Sequence, residues 1–238
     1  MEWQNVANAL FPLGHSITEN EQFLSGSGNV DGAVVELIGT CGHAPIGVEI
    51  ALAQAQAILR TVREHAGRPI LLLVDTQGQR LRHRDEMLGI NSYMAHLGKC
   101  VEFARLSGHR IIALVYDQAL SGGFITSGLM ADACYALPDA TIRVMGLPAM
   151  ARITKVPEER LVELAKSNPV FAPGPENYLR MGGLEAIWET DLAQRLQDAL
   201  DGPADGDNRA ALGLARGGRK MAQAVVDAIL GGGDAPSA

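Results

Sequence analysis

Two continuous apolar runs, separated by one amphipathic segment, constrain the fold of this chain more than any other feature. Residues 69–78 have the sequence PILLLVDTQG, and residues 110–116 have the sequence RIIALVY. Uninterrupted apolar runs of this kind are typical of strands that are buried on both faces of a parallel sheet. Between them, apolar residues from Met87 to Ala104 recur every three or four positions, which predicts a helix that ends at Gly108. The order strand, helix, strand predicts an α/β fold.

The same alternation continues on both sides of this unit. Upstream, GAVVELIG (32–39) predicts a buried strand, and the apolar face from Val48 to Val62 predicts a helix with Pro45 near its first turn. Downstream, FITSGLMADA predicts a helix, and CYALP and ATIRVMG predict short strands. We therefore expect an α/β fold of a coiled, repeating kind.

The C-terminal part is predicted to be mainly helical. PEERLVELAKSN and DLAQRLQDAL have helical patterns, and NPVFAPGPENY between them is a breaker-rich loop. We expect one domain over residues 1–200, a linker over 201–208, a C-terminal helix over 209–230 and a disordered tail over 231–238.

Composition excludes several classes of function. The net charge of −7 and the sequence pI near 5.4 argue against a nucleic-acid partner. Cys41, Cys100 and Cys134 form no CxxC pair, so we expect buried apolar thiols in a reducing compartment and no metal site. The chain has neither a secretory leader pattern nor an apolar run of about 20 residues, which predicts a soluble cytoplasmic protein with no membrane contact.

A pair of glycines follows the second buried strand, in ALSGGFITSGL (119–129). A strand that enters a helix through such a turn directs the first free N–H groups of that helix forward, and glycine lets a ligand approach them. Gly122 and Gly123 are thus candidates to hold a phosphate or a developing oxyanion, and Ser121 could add a hydrogen bond. The alternative is a tight turn that only allows close packing of strand and helix.

The surrounding segments resemble a known superfamily. LLLVDTQGQ, RIIALVYDQALSGGF and MADACYALPDATIRVMG occur in the order of the DTPG turn, the GGA-type turn and the VMG stretch of the carboxyltransferase branch of crotonase-like proteins. The segments GTCGHAPIGVEIALAQA and NPVFAPGPENYLRMGGLEAIW extend the resemblance to nearly the whole chain, and they are similar to the gamma-subunit family of malonate decarboxylases.

This resemblance implies a crotonase-like spiral of β-β-α units with additional C-terminal helices. It implies a beta-subunit partner, an acyl carrier protein partner and an alpha (transferase) subunit. No cofactor is implied for this chain alone, because the carrier supplies a coenzyme-A-like arm. The family's oxyanion donors fall on Gly122, Gly123 and the N–H of Phe124, and its DTPG turn falls on Asp75–Gly78, with Gln77 in place of proline. Gly78 therefore joins Ser121 as a candidate catalytic residue.

Basic residues are candidates for binding the carrier arm. Arg80, Arg82 and Arg84 follow the DTQG turn, and Arg143 and Arg152 flank VMGLPAMA. Arginine binds phosphate well, although a solvated surface cluster is the alternative.

Three further side chains have competing interpretations. His43 could orient a proton or cap a turn, and Asp75 could act as a base or bond its own backbone. Ser121 is not expected to be a nucleophile, because the sequence has no G-x-S-x-G elbow around it.

The resemblance implies decarboxylation of malonyl-S-acyl carrier protein to the acetyl thioester and CO₂ through an enolate. One alternative is a carboxyltransferase subunit that moves the carboxyl group to or from biotin. Another is a non-catalytic scaffold that shapes its partner's site.

Overall fold

The computed structural model of this chain describes residues 1–166, 174–202, 206–218 and 220–231. Its strands are β1 (Thr18–Asn20), β2 (Phe23–Val30), β3 (Ala33–Thr40), β4 (Ala44–Ile46), β5 (Ile70–Gln79), β6 (Ile111–Leu120), β7 (Ala133–Ala136), β8 (Thr141–Arg143) and β9 (Ala186–Ile187). Its helices are α1 (Trp3–Leu10), α2 (Val48–Glu64), α3 (His83–Met87), α4 (Ile90–Leu106), α5 (Ser121–Phe124), α6 (Leu147–Thr154), α7 (Glu158–Ala165), α8 (Pro175–Arg180), α9 (Leu192–Asp201), α10 (Arg209–Ala215) and α11 (Lys220–Leu230), and a π-helix (Ile125–Leu129) directly follows α5.

All the strands belong to one coiled sheet. The main order is β1-β2-β3-β5-β6-β7-β9, in which β1, β2 and β3 are antiparallel and the remaining neighbours are parallel. The long strands β5 and β6 change neighbours along their length, because their last residues pair with β4 and β8 instead of β3 and β7. The ends of β5 and β6 therefore project beyond the main sheet and carry the turns that follow them.

Helices cover both faces of the sheet, which explains the continuous apolar runs. Leu72 and Val74 face the cluster that contains α2 and α4, whereas Leu71 and Leu73 face the cluster that contains α1 and α9. All four side chains are buried. Alternate residues of β5 thus contribute to two separate cores, as expected for a strand with no solvent face.

The structure confirms the central predicted unit and corrects its edges. Strands β3, β5 and β6 and helices α2 and α4 lie where the patterns predicted them. Pro45 does not lie in the first turn of a helix: it lies in β4, and α2 begins after Gly47. The segment 124–133 is not one helix, because α5 passes into the π-helix and β7 begins at Ala133. The poorly patterned N-terminal segment forms α1 and the strands β1 and β2.

The C-terminal part also differs from expectation. The single helix predicted over 209–230 consists of two helices, α10 and α11, and part of the predicted 168–178 loop forms α8. Residues 203–205 of the predicted linker and 232–238 of the predicted tail lie outside the described residues. The three cysteines are buried and free, and burial raises the pKa of Cys134 to about 12. Among the described residues, no helix combines the length and the hydropathy that a membrane crossing requires.

Candidate active site

The turn after β6, residues Ser121–Phe124, is called the glycine turn below. Ser121 adopts a left-handed backbone conformation with φ 57°, which is uncommon for a residue with a side chain. The π-helix follows within four residues, and π-helical turns are rare and frequently lie at functional sites. Two unusual backbone conformations in succession therefore mark this turn as more than a connection between a strand and a helix.

Gly123 allows the backbone of the glycine turn to pack against the preceding turn. A Cβ atom on Gly123 would lie 3.0 Å from the Cα atom of Gly78 and 3.1 Å from the Ile46 side chain. Gly78 has φ 95°, and a Cβ atom there would lie 2.8 Å from the Cβ atom of Ser121. The absence of a side chain at Gly123 is therefore required for the close packing of the two turns.

Gly122 has a different environment. Apart from its chain neighbours and the backbone of its own helix, no heavy atom lies within 4 Å of the position that its Cβ atom would take, although the residue is partly buried. Within the described residues, nothing outside α5 accepts a hydrogen bond from the N–H of Gly122 or Gly123. These N–H groups precede the first residues that could bond within the helix, so they remain free to hold an anion. The ligand interpretation therefore fits Gly122.

Gly78 does not offer a free donor. Its N–H donates to Thr76 Oγ1 at 2.9 Å, and that hydroxyl donates in turn to the Ala44 carbonyl at 2.7 Å. The Gly78 N–H is therefore already bonded within its own turn, and a catalytic role of Gly78 stays a prediction. The Gly78 backbone packs against Ser121 and Gly123 of the glycine turn.

Two other predicted residues of the turn have distinct roles. The ring of Phe124 is 2% exposed and contacts Tyr178 edge-on, with 6.0 Å between ring centroids. Its side chain therefore belongs to the core. The Ser121 side chain is exposed, and its hydroxyl makes no hydrogen bond to any described residue.

The arginine cluster is largely occupied by intramolecular ion pairs. Arg80 lies 3.3 Å from a Glu49 carboxylate oxygen and 3.7 Å from Asp85, and Arg84 also binds Glu49, which lowers the pKa of that carboxyl. Arg82 lies 3.4 Å from Asp85 but is 53% exposed. The fully buried Asp85 accepts the N–H of Val48, so it caps α2. Arg80 therefore makes more intramolecular ion pairs than Arg82 and is less exposed.

Arg143 and Arg152 are not equivalent. Arg143 ends β8, where it pairs with Leu120, the residue that precedes the glycine turn. Its Nε atom is buried and has no hydrogen-bond partner among the described residues. Arg152 lies on α6 and is exposed. Only Arg143 of this pair is brought to the glycine turn by the register of the sheet.

His43, Asp75 and Gln118 form a second polar group at the strand ends, called the Asp75 corner below. The carboxylate of Asp75, 3% exposed, accepts the N–H of His43 at 2.8 Å, the His43 ring Nδ1–H at 2.7 Å and the N–H of Gln118 at 3.3 Å. His43 has φ 51° and caps no helix, since Gly47 is the N-cap of α2. Asp75 thus joins neighbouring strand ends and does not bond its own turn.

The Asp75 corner lies apart from the glycine turn. Val74 lies 3.6 Å from where a Cβ atom on Gly128 of the π-helix would lie, whereas Asp75 lines a cavity on the α1 side of the sheet together with Trp3 and Tyr116. The ligand atoms of His43, Asp75 and Asp117 lie within 4.8 Å of one another beside a cavity of about 440 Å³. Because three donors already bind the Asp75 carboxylate, this group is better suited to joining strands than to holding a metal ion.

The coiled mixed sheet, with helices on both faces and a tight turn after β6, has the crotonase-like fold of solved carboxyltransferase structures. Transcarboxylase 12S shares this fold with a TM-score of 0.69 and 18% identity, over 83% of this chain and 39% of that chain. The resemblance in the sequence predicted the same fold class.

More specific matches define the family. Residues 41–232 match the sequence model of the malonate decarboxylase gamma subunit, MdcE. The malonyl-S-ACP:biotin-protein carboxyltransferase MADD of Malonomonas rubra is 35% identical over 198 residues, 74% of this chain and 68% of that protein. A Pseudomonas malonate decarboxylase hetero-tetramer in complex with coenzyme A contains a chain that is 27% identical, with a TM-score of 0.78, over 94% of this chain and 95% of its own length. The chain belongs to the malonate decarboxylase gamma-subunit family.

Proposed function

We propose that this chain, together with a beta subunit, decarboxylates malonyl-S-acyl carrier protein to acetyl-S-acyl carrier protein and CO₂. The observation that carries the proposal is that the N–H groups of Gly122 and Gly123 have no acceptor outside α5 among the described residues, with open space at Gly122. Membership of the gamma-subunit family and the likeness to a chain of a malonate decarboxylase hetero-tetramer support it.

The chemistry requires donors at an anionic oxygen. When the carboxylate of the malonyl group leaves as CO₂, the electron pair of the broken C–C bond moves into an enolate whose negative charge lies largely on the thioester oxygen. A proton then adds to the carbon and gives the acetyl thioester. Preorganised N–H groups stabilise such charge, and the removal of one such donor costs about 2.7–4 kcal/mol. We assign the Gly122 and Gly123 N–H groups to an anionic oxygen of the reacting malonyl group.

Basic side chains are assigned to the carrier arm. Arg143 adjoins the glycine turn and has a buried Nε atom that lacks a partner among the described residues. Arg82 is half-exposed and makes only one ion pair with a described residue. We propose that these two arginines, with exposed Arg152, bind the phosphate-bearing arm, whereas Arg80 and Arg84 mainly hold Glu49.

The partners are proposed from the family. We propose a hetero-oligomer with the beta subunit, which would contribute the rest of the site, and interactions with the acyl carrier protein and the alpha (transferase) subunit. Size-exclusion chromatography with light scattering should give a mixed species when the beta subunit is added. Two unchanged peaks would contradict this part of the proposal.

The direct test is reconstitution of the reaction. The co-purified gamma and beta subunits should release CO₂ from malonyl-S-acyl carrier protein, and each subunit alone should be much less active. A fully active beta subunit alone would contradict a catalytic role and favour the scaffold alternative.

A biotin-dependent carboxyltransferase is the second candidate function. The 35% identity to a malonyl-S-ACP:biotin-protein carboxyltransferase favours it. With a substrate that is radiolabelled in the carboxyl group, transfer of the label to a biotin protein would support this candidate. Release of the label as CO₂ without biotin would support the decarboxylase.

A further inference from the structure

The segment before and within α10 reaches back to the element that follows the glycine turn. Arg209, the first residue of α10, donates a hydrogen bond from Nη1 to the carbonyl of Leu129. Leu129 is the last residue of the π-helix. A residue 80 positions later in the chain therefore contacts the end of the helix that begins at the glycine turn.

The direction of the Arg209 side chain is fixed by Asp207. Its Nε and Nη2 atoms donate to the two carboxylate oxygens of Asp207 at 2.7 and 2.8 Å, and its backbone N–H donates to the same carboxylate at 3.1 Å. These bonds to Arg209 lower the pKa of the Asp207 carboxyl. A guanidinium held in this two-pronged way presents its remaining donor in one direction.

The backbone around Arg209 is also anchored. The Arg209 carbonyl oxygen would lie 2.1 Å from a Cβ atom on Gly182, so α10 can dock here only because that position is glycine. At the other end of α10, Arg216 donates to the carbonyls of Leu179, Leu184 and Glu185 at 2.7–3.0 Å. The contact with Leu129 therefore comes from a docked element.

The π-helix connects this contact to the glycine turn. Thr126 Oγ1 donates to the carbonyls of Gly122 and Gly123 at 3.3 Å, and Ser127 Oγ also donates to the Gly123 carbonyl. At the other end, the positively charged guanidinium of Arg209 binds the Leu129 carbonyl and so stabilises the negative end of the helix dipole. Holding Leu129 thereby restrains the short helical unit whose N-terminal turn carries the N–H groups of Gly122 and Gly123.

We propose that Arg209 is a positioning residue that fixes the π-helix and, through it, the direction of the Gly122 and Gly123 N–H groups. This inference rests on the proposed function of the glycine turn as an oxyanion site. Small displacements of preorganised donors lower turnover more than substrate affinity, because the donors act mainly on the transition state.

Hydrogen exchange tests the positioning without reference to the reaction. In the full chain bound to the beta subunit, Arg209→Ala should increase the exchange rates of amides in residues 125–131 by about tenfold. The amides of β5 and β6 should be unchanged. Equal protection of residues 125–131 in the variant and the wild type would overturn the inference. If Arg209→Ala does not fold, Asp207→Asn, which removes one charge of the clamp but keeps the guanidinium, should produce a smaller change in the same segment, and its absence there would also overturn the inference.

A double-mutant cycle tests the consequence for turnover. Arg209→Ala should lower kcat by about tenfold with KM within about twofold, and Arg209→Lys, which keeps a donor, should recover part of the loss. In a Gly122→Ala background, the further effect of Arg209→Ala should fall below about twofold, because both changes act on the same donors. Fully additive losses would overturn the inference.

The controls separate this inference from the proposed function. Arg63→Ala removes an exposed arginine whose described partner is only its neighbour Glu64, and it should leave both readouts unchanged. If the wild-type complex releases no CO₂ from the malonyl carrier, the proposed function fails while the exchange experiment still reports on Arg209. If the wild type is active and Arg209→Ala is unchanged in both readouts, only the positioning role fails.

Discussion

The glycine turn and the Asp75 corner lie near the ends of neighbouring strands, but their polar groups differ in hydrogen bonding. At the Asp75 corner, one buried carboxylate accepts three hydrogen bonds from His43 and Gln118. At the glycine turn, the N–H groups of Gly122 and Gly123 have no acceptor among the described residues outside their own helix. Buried polar groups are nearly always bonded, so a group left free next to open space indicates a ligand. The buried Asp75 carboxylate therefore stabilises the fold, whereas Gly122 is the position that we propose for a ligand.

The largest expected effect on turnover comes from Gly122→Ala, a substitution that should leave the fold intact. Gly122→Ala places a methyl group in open space, at a φ outside the left-handed region, so the free energy of unfolding should stay within about 1 kcal/mol of wild type. The methyl group should nevertheless obstruct the approach of an anion, and kcat should fall by about 10²–10³-fold in the beta-subunit complex. Steady-state kinetics and thermal unfolding measure the two quantities.

Gly123→Ala is the matched control for that variant. Its new Cβ atom would lie 3.0 Å from the Gly78 backbone, so the turn must shift and the free energy of unfolding should fall by about 1–3 kcal/mol. Normal turnover in a stable Gly122→Ala variant would mean that the open space at Gly122 does not hold the reacting anion.

Removal of the Asp75 carboxylate tests whether the Asp75 corner serves stability alone. Asp75→Ala removes the acceptor of three hydrogen bonds and leaves the donors of His43 and Gln118, which are only partly shielded from water, without that acceptor, so the free energy of unfolding should fall by about 1–3 kcal/mol. The folded fraction should retain kcat within about threefold, since the carboxylate faces away from the glycine turn. Chemical denaturation, with activity measured at low temperature, distinguishes the two effects. A loss of kcat comparable to that of Gly122→Ala would place Asp75 in the reaction.

The strands that carry the glycine turn and the Asp75 corner could be predicted from the sequence. Which polar groups of the two regions are bonded and which are free could not. The side chains of Leu71–Val74 pack alternately into two hydrophobic cores, which is why the run at 69–78 is apolar. The position of β5 could therefore be predicted from the apolar run alone. Whether Gly122 or Gly123 is open depends on where Gly78 lies, and only the tertiary packing of two turns determines that distance. A local pattern contains no information on such a contact.

Charged residues show the same limit. RLRHRDE has the composition of a surface cluster or of a phosphate site, yet Asp85 is fully buried and caps α2. The ion pairs to Glu49 join residues that are more than 30 positions apart, which a local charge pattern does not encode. The proposed positioning role of Arg209 could not be predicted for the same reason, because its acceptor is a backbone carbonyl 80 positions earlier.

The third prediction separates structural from ligand-binding arginines. Arg80, with a side chain 19% exposed, covers Gly47 and adjoins buried Asp85, so Arg80→Ala should lower the free energy of unfolding by about 1–2 kcal/mol with little change in KM. Arg82→Ala should leave stability within about 0.5 kcal/mol and raise KM for the carrier substrate by a few fold at low salt. The opposite assignment of the two effects would return Arg80 to the binding site.

The smallest expected effect comes from substitutions at His43, which test whether its imidazole ring takes part in proton transfer. His43 adopts a left-handed conformation, which asparagine tolerates well and β-branched residues do not, and an asparagine side chain can also donate to the Asp75 carboxylate. His43→Asn should therefore change the free energy of unfolding by less than about 1 kcal/mol and kcat by less than about twofold, whereas His43→Val should destabilise the chain by about 1–3 kcal/mol. These outcomes would mean that the backbone geometry and a hydrogen-bond donor are what the position requires. A stable His43→Asn variant with a kcat reduced tenfold or more would show instead that the ring takes part in proton transfer, and the contrast between a structural corner and a catalytic turn would no longer hold.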